Sequence, residues 1–214
     1  MKLRNVLVGT LLTAAAGFAN ASIVYTLDDF SEDQGPASDT TVDGVAVTDT
    51  MTMSNGTVRT ISTSLVESFD PIQNAAVISY SNFDVNNGSK ENAEVSVDWT
   101  FGANLLPGAT SAIFSGIIIW ADKITDIEFL MNGVSLATVS TVSGTDNEAF
   151  SFAFDPALFN AGGTLSMQLT GETSWDLVLD TFNITYSVPT PGTLALVGLS
   201  LVGFGLSRRR RQAA

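Results

Sequence analysis

Val95, Val97, Trp99 and Phe101 alternate without a break with Ser96, Asp98 and Thr100. A period of two places all four apolar side chains on one side of an extended strand, which a helix with its 3.6-residue period cannot do. The pattern returns at Phe150, Phe152 and Phe154, and again at Leu165, Met167 and Leu169. Residues 113–120 (IFSGIIIW) are nearly all apolar. They read as a strand covered on both faces, with Trp120, like Trp99, in the core. Further strands are expected at 23–27, 45–51, 58–65, 76–80, 126–131, 134–140 and 177–186, rich in the β-branched residues that suit a pleated surface. Asn132-Gly133 is the pair a type I′ hairpin turn requires, and Asn55-Gly56, Asn87-Gly88 and Gly162-Gly163 sit at similar junctions. Residues 31–43 are polar, contain Pro36 and read as a long loop. No helical stripe interrupts residues 22–187. The expectation is an all-β domain, an antiparallel β-sandwich or jelly roll.

The two ends follow different rules. Lys2 and Arg4 precede an apolar stretch at 6–18, and Ala19-Asn20-Ala21 follows as a small-residue cleavage site. This is the pattern of a secretory signal peptide, residues 1–21, with Ala19 and Ala21 read by signal peptidase. At the other end, Val188, Pro189, Pro191 and Gly192 lead into the apolar residues 193–206. The chain then meets Arg208, Arg209, Arg210 and Arg211. Four guanidinium groups cross a bilayer only at high cost, so they halt export and hold the carboxyl end in the cytoplasm. Helix over 191–207 forms the expected transmembrane segment. The sandwich thus lies between an N-terminal signal helix and a C-terminal transmembrane helix.

The order of proline motif, short apolar span and basic cluster resembles the PEP-CTERM sorting signal. Its family pattern is roughly V-P-E-P-G-x-L-x-L-x-G-L, matched here by Val188, Pro189, Pro191, Gly192, Leu194, Leu196, Gly198 and Leu199. Thr190 stands where the family usually has Glu. The resemblance spans residues 188–211 and implies processing by an exosortase, a membrane cysteine protease-transpeptidase. The protein would be anchored briefly in the inner membrane and then reach the cell surface or extracellular matrix. The alternative is a plain C-terminal membrane anchor. The segments DDF and WDLVLD are similar to the bodies of other PEP-CTERM proteins of unassigned function.

Between the two ends, composition restricts the chemistry. All 22 acidic residues lie between Asp28 and Asp180, against three cations there, Arg59, Lys90 and Lys123, which leaves the exported body 19 charges negative. Such a surface repels nucleic acid. Histidine and cysteine are both absent. Their absence excludes Ser-His-Asp and Cys-His nucleophiles, ordinary zinc sites and histidine-ligated haem. No cofactor beyond a structural cation is expected. The cation these residues suit is calcium, a hard ion held by oxygens, with Asp28, Asp176 and Asp180 as candidate ligands on terminal strands expected to pair. Trp175, in a loop-like setting, is the candidate ligand-stacking residue. The body is expected to be a non-catalytic module that binds exopolysaccharide or serves as a structural matrix component. The alternative is a glycoside hydrolase working through paired carboxylates.

Overall fold

The structure, a computed structural model, describes residues 20–67 and 75–189. It is a sandwich of two antiparallel sheets, as the alternating patterns require. The seven-stranded sheet has the order β11-β8-β13-β6-β5-β2, with β1 also pairing with β13. Its strands are β1 (Asn20–Asp28), β2 (Gln34–Ala37), β5 (Ala75–Ser79), β6 (Asn82–Asn86), β8 (Ser111–Ala121), β11 (Thr145–Phe154) and β13 (Leu177–Pro189). The six-stranded sheet has the order β10-β9-β12-β7-β4-β3. It is formed by β3 (Val47–Thr52), β4 (Val58–Glu67), β7 (Asn92–Phe101), β9 (Thr125–Met131), β10 (Val134–Ser140) and β12 (Gly163–Gly171). Both sheets fall within the compact unit Val24–Tyr186 apart from strand ends. The second unit, Met1–Ile23 with Ser187–Ala214, lies mostly outside the described residues.

The inward-facing residues carry the core. Val95, Val97, Trp99 and Phe101 are buried, as are Leu165, Met167 and Leu169 opposite them on β12. Phe114, Phe129, Phe150 and Phe182 meet between the sheets with ring centroids 5.0–6.4 Å apart. Such tilted and edge contacts add to the area they bury. Gly116 leaves the room this cluster needs: a β-carbon there would sit 2.7 Å from both Phe150 and Phe182. Asn132 and Gly133 have φ of 51° and 78°, the conformation of the expected type I′ hairpin between β9 and β10.

Three expectations need correction. Residues 31–43 are not all loop, because they contain β2. That strand lacks an apolar signature since its first inward residue is Gln34, whose side chain bonds to Arg59. Asn87-Gly88 is not a hairpin turn of the Asn132-Gly133 kind, since Asn87 is buried with its amide donating to the Trp175 carbonyl. Among the described residues a single short helix, α1 (Pro156–Asn160), follows the phenylalanine strand, capped by Asp155, whose carboxylate accepts from Ala157 N at 2.9 Å. Five residues are too few to display a helical stripe.

The sandwich is joined internally by a buried ion pair. Arg59 lies on the inner face of β4, in phase with Ile61 and Leu65, and its side chain is fully buried. It donates to both Asp28 oxygens, at 2.9 and 2.7 Å, and through Nε to Gln34 at 2.7 Å. Its other terminal nitrogen donates to the Glu32 carbonyl. Asp28 also accepts from Trp99 Nε1 at 2.8 Å and from Phe30 N at 2.8 Å. One carboxylate therefore ties the end of β1 to β4 and β7 of the opposite sheet.

Candidate functional site

Trp120 is the feature that a strict period of two would have hidden. Phe114, Gly116 and Ile118 face inward on β8, so strict alternation would turn Trp120 inward as well. Instead Ala121 is buried, three positions beyond Ile118, and the strand changes phase. Trp120 is turned out and is 42% exposed. The neighbouring strand follows the same step, with Trp120 opposite Asp146 of β11 and Asn147 at φ 50°. The expectation that residues 113–120 are covered on both faces, with Trp120 in the core, is therefore wrong. Ile113 and Ile117 are also exposed, at 47% and 37%. They continue the apolar row from Trp120 along the outer side of β8. Beside it, Ser115 and Ile117, Ala149 and Ser151 of β11, and Thr181 and Asn183 of β13 line a shallow depression of about 310 Å³.

Polar groups cluster next to Trp120. Asp122 N donates to the Asp176 carbonyl at 3.3 Å, and Asp176 N donates to the Asp122 carboxylate at 2.8 Å. Asp176 in turn accepts from Asn87 N at 2.7 Å. Asp84 of β6 stands opposite Val178 of β13. Burial pushes the Asp84 carboxyl above its ordinary range. It does the same to Asp176, with help from the negative charges of Asp122 and Asp84 and against the Asn87 N–H. A carboxyl raised in the folded state favours the fold when protonated and weakens it once ionised. Asp176→Asn keeps an acceptor for Asn87 and removes the repulsion. It should raise the melting temperature at pH 7. The gain should shrink as pH falls through about 4 and vanish below about pH 3, where the wild-type carboxyl is protonated in both states. Thermal melts across that range check the sign.

The residues singled out in the sequence are not brought together. Trp175 is fully buried, its indole N–H donating to the Ala93 carbonyl at 3.1 Å, so it offers no stacking surface. Its ring fills the space beside Gly171, where a β-carbon would lie 2.5 Å from Cγ. Asp28 is committed to Arg59 between the sheets, whereas Asp176 and Asp180 are half-buried, with Asp180 on the β13 strand paired to β8. β1 and β13 do pair. Even so, among the described residues no group of three acidic side chains is placed to hold a metal ion. Asp28, Asp176 and Asp180 therefore do not form the calcium site expected of them.

Of the sorting residues, Ala21 is exposed in β1, and Val188 and Pro189 end β13. Ala19, Pro191, Gly192, Arg208, Arg209, Arg210, Arg211 and the segment 191–207 lie outside the described residues.

No family model matches the chain, and no curated protein matches it. Solved structures similar to it include the family 11 carbohydrate-binding module of a cellulosomal cellulase of Clostridium thermocellum. That match has 11% identity over 79% of this chain and 96% of that one, with a TM-score of 0.35. A xylan-binding family 22 module of Paenibacillus barcinonensis matches at 13% identity over 81% and 100%, TM-score 0.34. A family 29 carbohydrate-binding module from Piromyces equi matches at 8% over 78% and 91%, TM-score 0.34. Likeness at this level carries no residue-level correspondence.

Proposed function

We propose that this chain is an exported, non-catalytic module that binds polysaccharide, or builds structure, in the extracellular matrix. It is delivered by a signal peptide and sorted by a PEP-CTERM tail that exosortase processes. The observation that carries the binding half is Trp120. An indole turned to solvent at the phase step of β8, in line with Ile117 and Ile113 and flanked by Asp146 and Asp122, suits the apolar face and hydroxyl rim of a sugar ring. The strand holds the indole in place, so little ordering entropy opposes binding. The delivery half rests on Ala19, Ala21, the proline motif and the arginines. The membrane is then a transient partner, and exopolysaccharide the lasting one.

Trp120→Ala should weaken binding to the native exopolysaccharide about 30-fold, the scale of an aromatic hot spot near 2 kcal/mol. Its melting temperature should barely move, because surface substitutions outside the core seldom matter. Affinity electrophoresis paired with thermal melts checks both, and Trp120→Phe should recover part of the affinity. Unchanged retardation of Trp120→Ala would remove the reading.

One observation favours the hydrolase alternative: Asp84 and Asp176, both with raised carboxyls, repel each other, and Asp176 is hydrogen-bonded to Asp122, two residues beyond Trp120. A raised carboxyl is what a general acid needs. Release of reducing ends that disappears in Asp84→Asn would move the assignment there.

A further inference from the structure

The outer face of the six-stranded sheet is built on another plan. Register places one polar residue from every strand in a single row. Thr48 stands opposite Ser62 and Ser62 opposite Ser96. Ser96 stands opposite Gln168, Gln168 opposite Glu128, and Glu128 opposite Thr138. On β7 and β12 these positions alternate with the buried Val95, Val97, Met167 and Leu169, so Ser96 and Gln168 face away from the core. Strands about 4.8 Å apart carry the row roughly 24 Å across the sheet.

The rows on either side of it hold internal pairs: Ser140 donates to the Asp126 carboxylate in the row on one side, and two threonine pairs lie in the next two rows on the other. Thr50 and Thr60 share a hydroxyl hydrogen bond of 3.0 Å, and Thr100 and Thr164 one of 2.9 Å. Among the described residues, none of the six side chains in the middle row has such a partner. A groove of about 220 Å³ crosses this row, lined by Ser62, Ser64, Glu94, Ser96, Gln168 and Thr170. Among the described residues no lysine or arginine lines it: Arg59 is buried, and Lys90 and Lys123 sit between strands. Glu94, Asp98, Asp126 and Glu128 make the face anionic.

We propose that this row is a second binding face, for a neutral, hydroxyl-rich polysaccharide chain laid across the strands. Hydroxyls and an amide that lack internal partners can both donate to and accept from sugar hydroxyls at each strand. The carboxylates accept hydrogen bonds from neutral sugars and repel uronates. The inference rests on the polysaccharide reading for the class of ligand but uses a different sheet from Trp120. One domain then holds two chains, one on each sheet, and acts as a cross-link in the matrix.

The test uses the exported protein with a soluble neutral β-glucan, a polyuronate and a polyglucosamine. The wild type should turn the β-glucan turbid by bridging chains. Ser62→Ala/Ser96→Ala/Gln168→Ala should abolish the turbidity, keep the Trp120 site, and lower affinity about tenfold in a Trp120→Ala background. Should the triple variant fold poorly, Ser96→Val/Gln168→Val removes the same groups while favouring strand. Unchanged bridging in a folded variant, or tighter binding to the polyuronate or polyglucosamine than to the neutral glucan, overturns the proposal. If Trp120→Ala alone abolishes all binding, the second face is wrong and the Trp120 reading stands. If only the row variants lose binding, the Trp120 reading fails and the row remains.

Discussion

Arg59→Met is expected to destabilise the domain by about 3–5 kcal/mol, because it strands Asp28 as an uncompensated charge between two sheets. Methionine fills similar volume, so the loss is electrostatic rather than a cavity. The guanidinium also satisfies Gln34 and the Glu32 carbonyl, and all three acceptors would be left short of a donor. For a domain of this size the shift is on the order of 10 °C in melting temperature. Asp28→Asn should be costly too, leaving Arg59 the unpaired ion. The double variant should cost clearly less than the two together, by up to about 3 kcal/mol of coupling. Urea denaturation of the four proteins measures this. If the two losses simply add, the pair does not join the sheets in the way its geometry implies.

Legibility of this fold tracked whether the inward residue of a strand was apolar. β7, β11 and β12 announce themselves because Trp99, Phe150 and Met167 sit in alternating runs that need no tertiary knowledge. β2 does not, since its inward group is an amide whose role is visible only once Arg59 is beside it. Arg59 itself carried a signal, being in phase with Ile61, Thr63 and Leu65 on β4. A cation on an apolar face predicts a buried acidic partner. Which of the 22 acids it would be is a matter of topology. Trp99 is in the core as expected, but Trp120 and Trp175 were misassigned for a related reason. Trp120 depends on a phase step near Ile119 that no local residue type encodes, and Trp175 is drawn inside by the Ala93 carbonyl. The candidate site was therefore legible as a need for an exposed aromatic ring, but not as the residue that supplies it.

Replacing Arg208, Arg209, Arg210 and Arg211 with glutamine should change the fate of nearly every molecule, the largest effect expected of any substitution here. The apolar residues 193–206 reach only about 21 Å as a helix, short of a hydrocarbon core of about 30 Å. A span that short has little holding power of its own. Each arginine at mid-membrane costs roughly 2.5–3.5 kcal/mol on insertion scales, so four in a row form a barrier that glutamine lowers. Val188 and Pro189 are already extended at the end of β13, the conformation a protease needs at its substrate. Cutting near them requires the tail to pause in the bilayer long enough to be recognised. The variant should be released with its C-terminus intact, whereas the parent should lose its tail near Gly192. Intact-mass measurement of the secreted fraction distinguishes the two. Normal trimming of the variant would mean the arginines are not what stops the chain, and the sorting reading would then have to rest on the proline motif alone.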